Sequence, residues 1–273
     1  MIEITLIFAA LFLLLISSFI DFKTKEVPDF LTNTFIIFGV LSQVILWIFF
    51  PTQERLFFTL LYFSISLLLS LSMYYSGVWG GGDVKVLVAC SFLFGYLESD
   101  KLFFLKFLLN FLVAGAAYGT CFYAYYFVKN LKKLSKERKV INVILLLFVL
   151  GTSVFFQRIW MFTLLFGLLL ILLYNSEIVE DSMKKWVSVS KLTEGDWLIK
   201  EVKYRNIKIV PKPTGISKED LRKLRKLYRE GKVRKVLIKE GIPFVPVFLI
   251  SFLMTFYFKE FVLLSLANFL TSS

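Results

Sequence analysis

The chain has 273 residues, a formal net charge of +12 and no histidine, and 58% of its residues are hydrophobic. This composition excludes a soluble domain with an ordinary polar surface and indicates that a lipid bilayer surrounds most of the chain. The lack of histidine excludes histidine-based metal sites and Ser-His or Cys-His catalysis. Both cysteines, Cys90 and Cys121, lie in apolar runs, so neither a disulfide framework nor a Cys-rich zinc site is expected.

Eight apolar windows follow one another along the chain, each about long enough for a helix to cross a hydrocarbon core of roughly 30 Å. The first lacks a basic n-region and a small-residue cleavage site, so we interpret it as a retained helix and not as a signal peptide. Gln157 and Arg158 separate two short windows that form either a helical hairpin or one long tilted helix. The windows are 3–20, 30–50, 56–76, 84–97, 102–128, 140–156, 159–174 and 244–269.

The basic residues lie mainly in loops beside these windows, at 23–25, 129–139 and 184–239. This distribution is typical of a topology signal and not of a phosphate-binding surface, so we expect no nucleic-acid partner. The positive-inside rule places the three basic segments on the cytoplasmic side of a multi-pass protein of the cell membrane. The assignment is consistent only if the stretch 140–174 crosses the bilayer twice or not at all.

The only sizeable polar region is 175–242. Residues 186–210 alternate as strands do, and 217–230 begins with the serine and acidic pattern of a capped helix. The region is therefore interpreted as a small cytoplasmic α+β module, although a solvated linker remains an alternative. We predict an all-α polytopic membrane protein: a bundle of six to eight transmembrane helices. The predicted division is 1–174 for the bundle, 175–242 for the module and 243–273 for the final transmembrane helix.

Two acidic residues stand out at the boundaries of apolar windows. Asp21 ends the first window, and Asp83 opens the fourth after Gly80, Gly81 and Gly82. Ionisable groups at such places carry a desolvation cost and are candidates for function. Two carboxylates that share a proton can hydrolyse a peptide bond, one activating water and the other polarising the carbonyl. The glycines permit backbone positions with φ > 0 and a close approach of a substrate strand to the chain just before Asp83.

Each aspartate also has a structural interpretation. Asp83 would serve as the N-cap of the fourth helix, with its carboxylate bonded to amides of the first turn. Asp21 would be a boundary residue paired with Lys23 or Lys25. Neither acid indicates catalysis when it is considered alone.

The segments around these acids resemble the GxGD aspartic proteases of the prepilin peptidase family. They are 21–33 (DFKTKEVPDFLTN) and 80–85 (GGGDVK). In that family an aspartate after the first span precedes a basic stretch, a proline and a Leu-Thr pair, and the second aspartate lies in GxGD two residues before a lysine. A third segment, 239–246 (KEGIPFVP), resembles the corresponding part of archaeal prepilin and preflagellin peptidases.

The resemblance implies that Asp21 and Asp83 are catalytic, one as base and one as acid, with neither order assigned. It implies no metal and no organic cofactor. Lys85 would either tune Asp83 or extend to the membrane interface. The residues implied to shape the site are Gly80, Gly81, Gly82 and Lys85.

The resemblance also implies the partners: prepilin-like or preflagellin (archaellin) precursors, cut at the cytoplasmic face after a short basic leader. Many bacterial members carry a four-cysteine zinc motif and methylate the new terminus. This chain lacks those cysteines, so we expect proteolysis without N-methylation and an archaeal type of enzyme. The alternative is a proton- or cation-coupled transporter, because transporters also have Gly-rich breaks in helices beside intramembrane acids. A non-catalytic scaffold that docks a partner through 175–242 is a third hypothesis.

Overall fold

The computed structural model describes residues 2–155, 160–205 and 207–258. Within these residues, helices lie at each predicted apolar window, and strands occur only in the polar region. In chain order the elements are α1 (Ile2–Thr24), α2 (Asp29–Phe49), α3 (Gln53–Tyr75), α4 (Gly81–Phe94), α5 (Phe103–Lys129), α6 (Lys136–Phe155), α7 (Trp160–Tyr174), α8 (Ser176–Ser182), β1 (Lys184–Ser188), β2 (Trp197–Leu198), β3 (Val202–Tyr204), β4 (Ile207–Ile209), α9 (Lys218–Arg229), β5 (Lys235–Lys239) and α10 (Val245–Phe258).

The protein is a multi-pass membrane protein. Within the described ranges, five helices are long and apolar enough to span a bilayer: α1, α2, α3, α5 and α6. Helices α4, α7 and α10 are shorter over the same ranges. The predicted fold class, a polytopic helical bundle with a small strand-containing module, is confirmed. Gln157, Arg158 and residues 259–269 of the predicted last window lie outside the described residues.

Helix α4 is the centre of the bundle. It packs against α1, α2 and α3, while α10 packs against α1 and α5. Gly39 of α2 lies so close to Phe92 that a Cβ at Gly39 would be 2.8 Å from the Phe92 Cβ. Because neighbours surround α4, it is apolar on every side, as expected of a buried helix. Six helices, α1 to α5 and α10, therefore form one core.

A tight connection joins α1 to α2. Helix α1 ends at Thr24, and Lys25 then adopts a left-handed conformation with φ 60°. The Lys25 N–H donates to the Asp21 carbonyl at 2.7 Å, a C-terminal capping arrangement that usually favours glycine. Pro28 then stands before the first residue of α2. The short turn fixes both helix ends beside Asp21.

Helices α6 and α7 form an antiparallel hairpin, so the alternative of one long tilted helix is wrong. Asn142 and Asn175 exchange side-chain amide hydrogen bonds of 3.2 and 2.8 Å. Nearer the other end, Gly167 packs directly on Val149. The hairpin contacts the core where α7 meets α5. Its antiparallel course returns the chain to the end from which α6 began.

The polar region folds around a core of its own, so the linker alternative is wrong. Strand β5 lies between β1 and β2 in an antiparallel sheet, and β3 pairs with β4 as a hairpin. The Ser217 hydroxyl accepts the Asp220 N–H and caps α9, as predicted. Leu224 of α9 and Val236 of β5 are buried together in this core. We call this folded part, residues 184–239, the module.

Candidate active site

Asp21 lies in the last turn of α1 and is only 5% exposed. Its Oδ2 accepts the backbone N–H of Val245 at 2.9 Å, and the Phe244 amide also faces the carboxylate. Val245 is the first residue of α10. The carboxylate therefore meets the positive end of a helix that begins more than two hundred residues later.

The predicted alternative for Asp21, an ion pair with a nearby lysine, is wrong. The Lys25 ammonium lies 3.0 Å from Glu240 instead. The Lys23 ammonium lies 4.2 Å from the centre of the Phe19 ring. Asp21 is thus a buried carboxylate held by backbone amides and not a boundary charge.

Asp83 is the third residue of α4, so the predicted N-cap role is wrong as well. The N-cap is Gly80, which is extended with φ −79° and ψ 165°. Asp83 Oδ2 accepts the Gly80 N–H at 3.0 Å, so the side chain reaches back over the helix start. Asp83 is partly exposed. A carboxylate in the first turn is also favoured by the helix dipole.

Gly80, Gly81 and Gly82 do not use the positive φ that glycine permits. The left-handed glycine of this loop is Gly77, with φ 72°. Gly82 is needed for close packing, because a Cβ there would be 3.2 Å from the Cβ of Val27. A Cβ at Gly81 would meet nothing within 4 Å. The sequence therefore brings α4 against the α1–α2 turn at Gly82 and leaves open space at Gly81.

Lys85 has an ion-pair partner that the sequence did not indicate. Its ammonium forms an ion pair with Asp29 at 2.5 Å. Asp29 is the first residue of α2, so the pair joins the start of α4 to the start of α2. Lys85 thus holds the start of α4 beside the start of α2, close to the aspartates.

The two aspartates share one end of the bundle. Helices α1 and α4 are in contact, and Asp21 is close enough to Asp83 for their charges to interact. Two acids that the chain separates by 62 residues (83 − 21) therefore belong to one site. Such a pair is suited to sharing a proton and activating a water between the carboxylates.

The module lies against both loops of this site. The Thr193 hydroxyl donates to the Glu26 carboxylate in the α1–α2 turn. Gly77, in the α3–α4 loop, packs on Pro213, whose carbonyl accepts the Trp197 indole N–H. At the same end, the Arg138 guanidinium bonds Glu177 at 2.7 Å. The three basic segments predicted to share one side of the membrane thus lie, together with the α3–α4 loop, at one end of the bundle.

Glu240 connects the module to the α1–α2 turn. Burial acts to raise the pKa of Glu240, but the ammonium groups of Lys25 and Lys185 outweigh it and hold the pKa below its usual range. The Lys185 contact is the longer one, 3.6 Å against 3.0 Å for Lys25. Glu240 is therefore ionised and paired at neutral pH.

Three contributors to the site carried no clear sequence signal: the Val245 amide, Trp79 and Tyr118. The Trp79 ring lies 6.0 and 5.7 Å from the rings of Phe244 and Phe248. The Tyr118 hydroxyl donates to the Pro243 carbonyl at 2.7 Å. The prolines at 243 and 246 could have marked this segment as a helix start, but not its contact with Asp21.

Comparison with known proteins gives one match. The sequence model of the type IV leader peptidase family matches residues 7–123, which run from α1 into α5 and include both aspartate segments. No curated protein and no solved structure matches the chain. The segment that enters α10 lies outside the matched residues.

Proposed function

We propose that this chain is an aspartic endopeptidase of the type IV leader peptidase family, whose sequence model matches residues 7–123, with Asp21 and Asp83 as its catalytic pair. The match supports a leader peptidase-like membrane protease, in agreement with the resemblance of segments 21–33 and 80–85. Two observations distinguish these acids from the others. They lie in the matched stretch, and they meet at one end of a membrane bundle.

The arrangement of the two carboxylates supports a water-activating mechanism. One oxygen of each is held by a backbone amide, from Val245 on Asp21 and from Gly80 on Asp83. In the reaction, one carboxylate takes a proton from water, which attacks the scissile carbonyl. The other carboxyl group polarises that carbonyl and then protonates the departing amine. The open space at Gly81 would admit the extended substrate strand beside Asp83.

The family implies prepilin-like precursors as substrates. We propose that preflagellin-like precursors also fit, and that cleavage removes a short basic leader just before the hydrophobic helix. A site at the end of the bundle, and not at its middle, supports a cut at the membrane boundary. We further propose that no methyl transfer follows, since the chain lacks the four-cysteine motif of methylating relatives.

A reconstituted cleavage assay tests this function. The protein in liposomes is incubated with tagged prepilin-like and preflagellin-like precursors, with S-adenosylmethionine present. We expect a shortened product whose intact mass corresponds to an unmethylated terminus directly before the hydrophobic helix. Precursors whose leader lysines are replaced by serine serve as matched controls and are expected to be cut more slowly. No shortening of any precursor contradicts the peptidase, and a mass gain of one methyl group contradicts the proteolysis-only form.

The orientation is tested separately. Lys203 is an exposed residue of β3, and we expect Lys203→Cys to react with an impermeant maleimide only after cells are permeabilised. A Cys121→Ser background removes the exposed native thiol. Labelling of intact cells would place the module, and the active site beside it, outside the cytoplasm.

A further inference from the structure

We propose that residues 244–248, which comprise Phe244 and the first turn of α10, form a positioning platform that fixes the two aspartate-bearing segments relative to each other. The inference rests on the proposed function, because it gives these residues a task in that reaction. The platform lies outside the matched residues 7–123. Its residues are positioning residues, since they act through the aspartate segments that they touch.

The first support is the contact with α1. Among the first amides of α10, Pro246 has no N–H, and the Val247 N–H donates to the Phe244 carbonyl at 3.0 Å. The Val245 N–H is the one that Asp21 accepts, at 2.9 Å. Val245 is fully buried, so this amide has no access to water as an alternative acceptor. The Val245 N–H therefore has its acceptor in Asp21, and the buried Asp21 carboxylate has a donor in the platform.

The second support is the contact with the loop that leads to Asp83. Trp79 directly precedes Gly80 and is 5% exposed. Its ring packs on Phe244 and Phe248, from the same turn that holds Asp21. The ring of Phe111 of α5 closes the cluster, 5.7 Å from Trp79 and 4.7 Å from Phe248. One helical turn thus contacts both segments, by an amide on one side and by aromatic rings on the other.

The third support is the rigidity of the segment that precedes α10. Proline fixes φ at 243 and 246. The Pro243 carbonyl accepts the Tyr118 hydroxyl at 2.7 Å, and Glu240 is ion-paired with Lys25 at 3.0 Å. The Glu240 N–H donates to the Met183 carbonyl at 2.9 Å. A segment held at these points can keep two carboxylates in a fixed geometry, which proximity effects in catalysis require.

The deciding experiment removes a single N–H. Val245→Pro places proline at the first position of a helix, where its φ is favourable, and deletes the N–H that donates to Asp21 Oδ2. Val245→Ala keeps the donor and serves as the matched control. The Phe244 amide remains in both variants. We expect kcat for precursor cleavage to be roughly tenfold lower in Val245→Pro than in Val245→Ala, with KM unchanged within about twofold.

A second pair of variants covers the case in which Val245→Pro does not accumulate in membranes. Trp79→Leu removes the ring contacts with the platform. Phe252→Leu, two turns further along α10, removes a buried ring that packs 5.2 Å from Phe94, away from both aspartates. We expect both to lower thermal stability, but only Trp79→Leu to lower kcat, by roughly fivefold.

The outcomes separate this inference from the proposed function. If the wild-type protein removes no leader, the function itself is wrong. If the wild type cleaves while Val245→Pro and Val245→Ala have equal kcat, the platform is wrong and the function stands. Equal kcat losses in Trp79→Leu and Phe252→Leu would likewise overturn the platform, because general weakening of α10 would then explain both.

Discussion

The six-helix core and the α6–α7 hairpin are both apolar, yet they are built differently. In the core, large side chains such as Phe94, Phe104 and Phe248 are fully buried. In the hairpin, side chains of α6 such as Phe148 and Val154 are 68% and 70% exposed, as expected of a lipid-facing helix. The helices of the core thus bury large side chains against one another and hold the two carboxylates in place. The hairpin contacts the core mainly where α7 meets α5. Activity should therefore depend on details of the core and tolerate changes in the hairpin.

Apart from changes to Asp21 and Asp83 themselves, the largest predicted effect is where Gly82 of α4 packs on Val27 of the α1–α2 turn. Gly82→Ala adds a methyl group that must displace Val27, only 3.2 Å away. The displacement separates the α1–α2 turn from α4, and we expect kcat to fall roughly tenfold. Alanine is the better helix former, so thermal stability should not fall in parallel. Steady-state cleavage kinetics and thermal unfolding of the same preparations measure both quantities.

A compensating variant provides the control. Val27→Gly in the Gly82→Ala background removes the Cβ and the branched methyl group that the new methyl group meets. We expect the double variant to regain at least half of the lost kcat, on a logarithmic scale. If the double variant is no faster than Gly82→Ala, the close approach of the two segments does not matter for catalysis.

The second effect is at the link between core and module. Glu240→Gln removes the charge that pairs with Lys25, and we expect kcat to fall about threefold, because a half-exposed ion pair contributes little. The reversed pair, Lys25→Glu with Glu240→Lys, should restore part of the loss. Lys185→Ala, which removes the longer contact to the same glutamate, is the control and should have less effect. A larger loss in Lys185→Ala than in Glu240→Gln would contradict the role of the Lys25 pair.

The third effect is in the hairpin and concerns stability. Asn142→Ala removes the donor to the Oδ1 of the fully buried Asn175, whose NH2 group keeps the Ile171 carbonyl as an acceptor, and we expect a loss of about 1 kcal/mol in the free energy of unfolding. The double variant Asn142→Leu with Asn175→Leu should be less destabilised than the sum of the two single changes. Cleavage kinetics should stay at the wild-type level. A hairpin variant that folds normally and loses activity would break the distinction between the two regions.

The smallest effect is in the module. The Lys212 ammonium, which bonds Asp220 at 2.6 Å, holds the pKa of that carboxyl below its usual range of about 4. The contact therefore stabilises the module at all pH values above about 4, and the contribution is lost as pH falls through the lowered pKa. Hydrogen exchange of α9 amides should show this loss, and Asp220→Asn should abolish the pH dependence. An unchanged pH profile in Asp220→Asn would contradict the assignment.

The features that could be predicted from the sequence were those that depend on residues close together in the chain. Apolar runs near 20 residues predicted the helices, and the serine and acidic pattern at 217–220 predicted the cap of α9. The hairpin stayed ambiguous because Gln157 and Arg158 interrupt two windows that are each short for a crossing. Antiparallel pairing across Asn142 and Asn175 resolved it, which is a long-range contact without a local signature.

The site was predicted in part for the same reason. Motif spacing singled out Asp21 and Asp83 as a candidate pair, and both lie at one end of the bundle. Glycine permits a positive φ without requiring it, and the sequence did not indicate that Gly82 packs closely on Val27. The partner of Lys85 is 56 residues away, and the partner of Asp21 is a backbone amide, which any residue except proline supplies. Neither contact could be found without the fold.

The central claim is that Asp21 and Asp83 act as one catalytic pair. The most direct test is leader removal by purified Asp21→Asn and Asp83→Asn in liposomes, with product termini mapped by mass spectrometry. Asparagine preserves the shape and one acceptor oxygen, so the backbone bonds from Val245 and Gly80 can persist. We predict that each substitution alone lowers the cleavage rate by more than about a thousandfold, as for residues that act as a unit. Cleavage near the wild-type rate by either folded variant would contradict the claim.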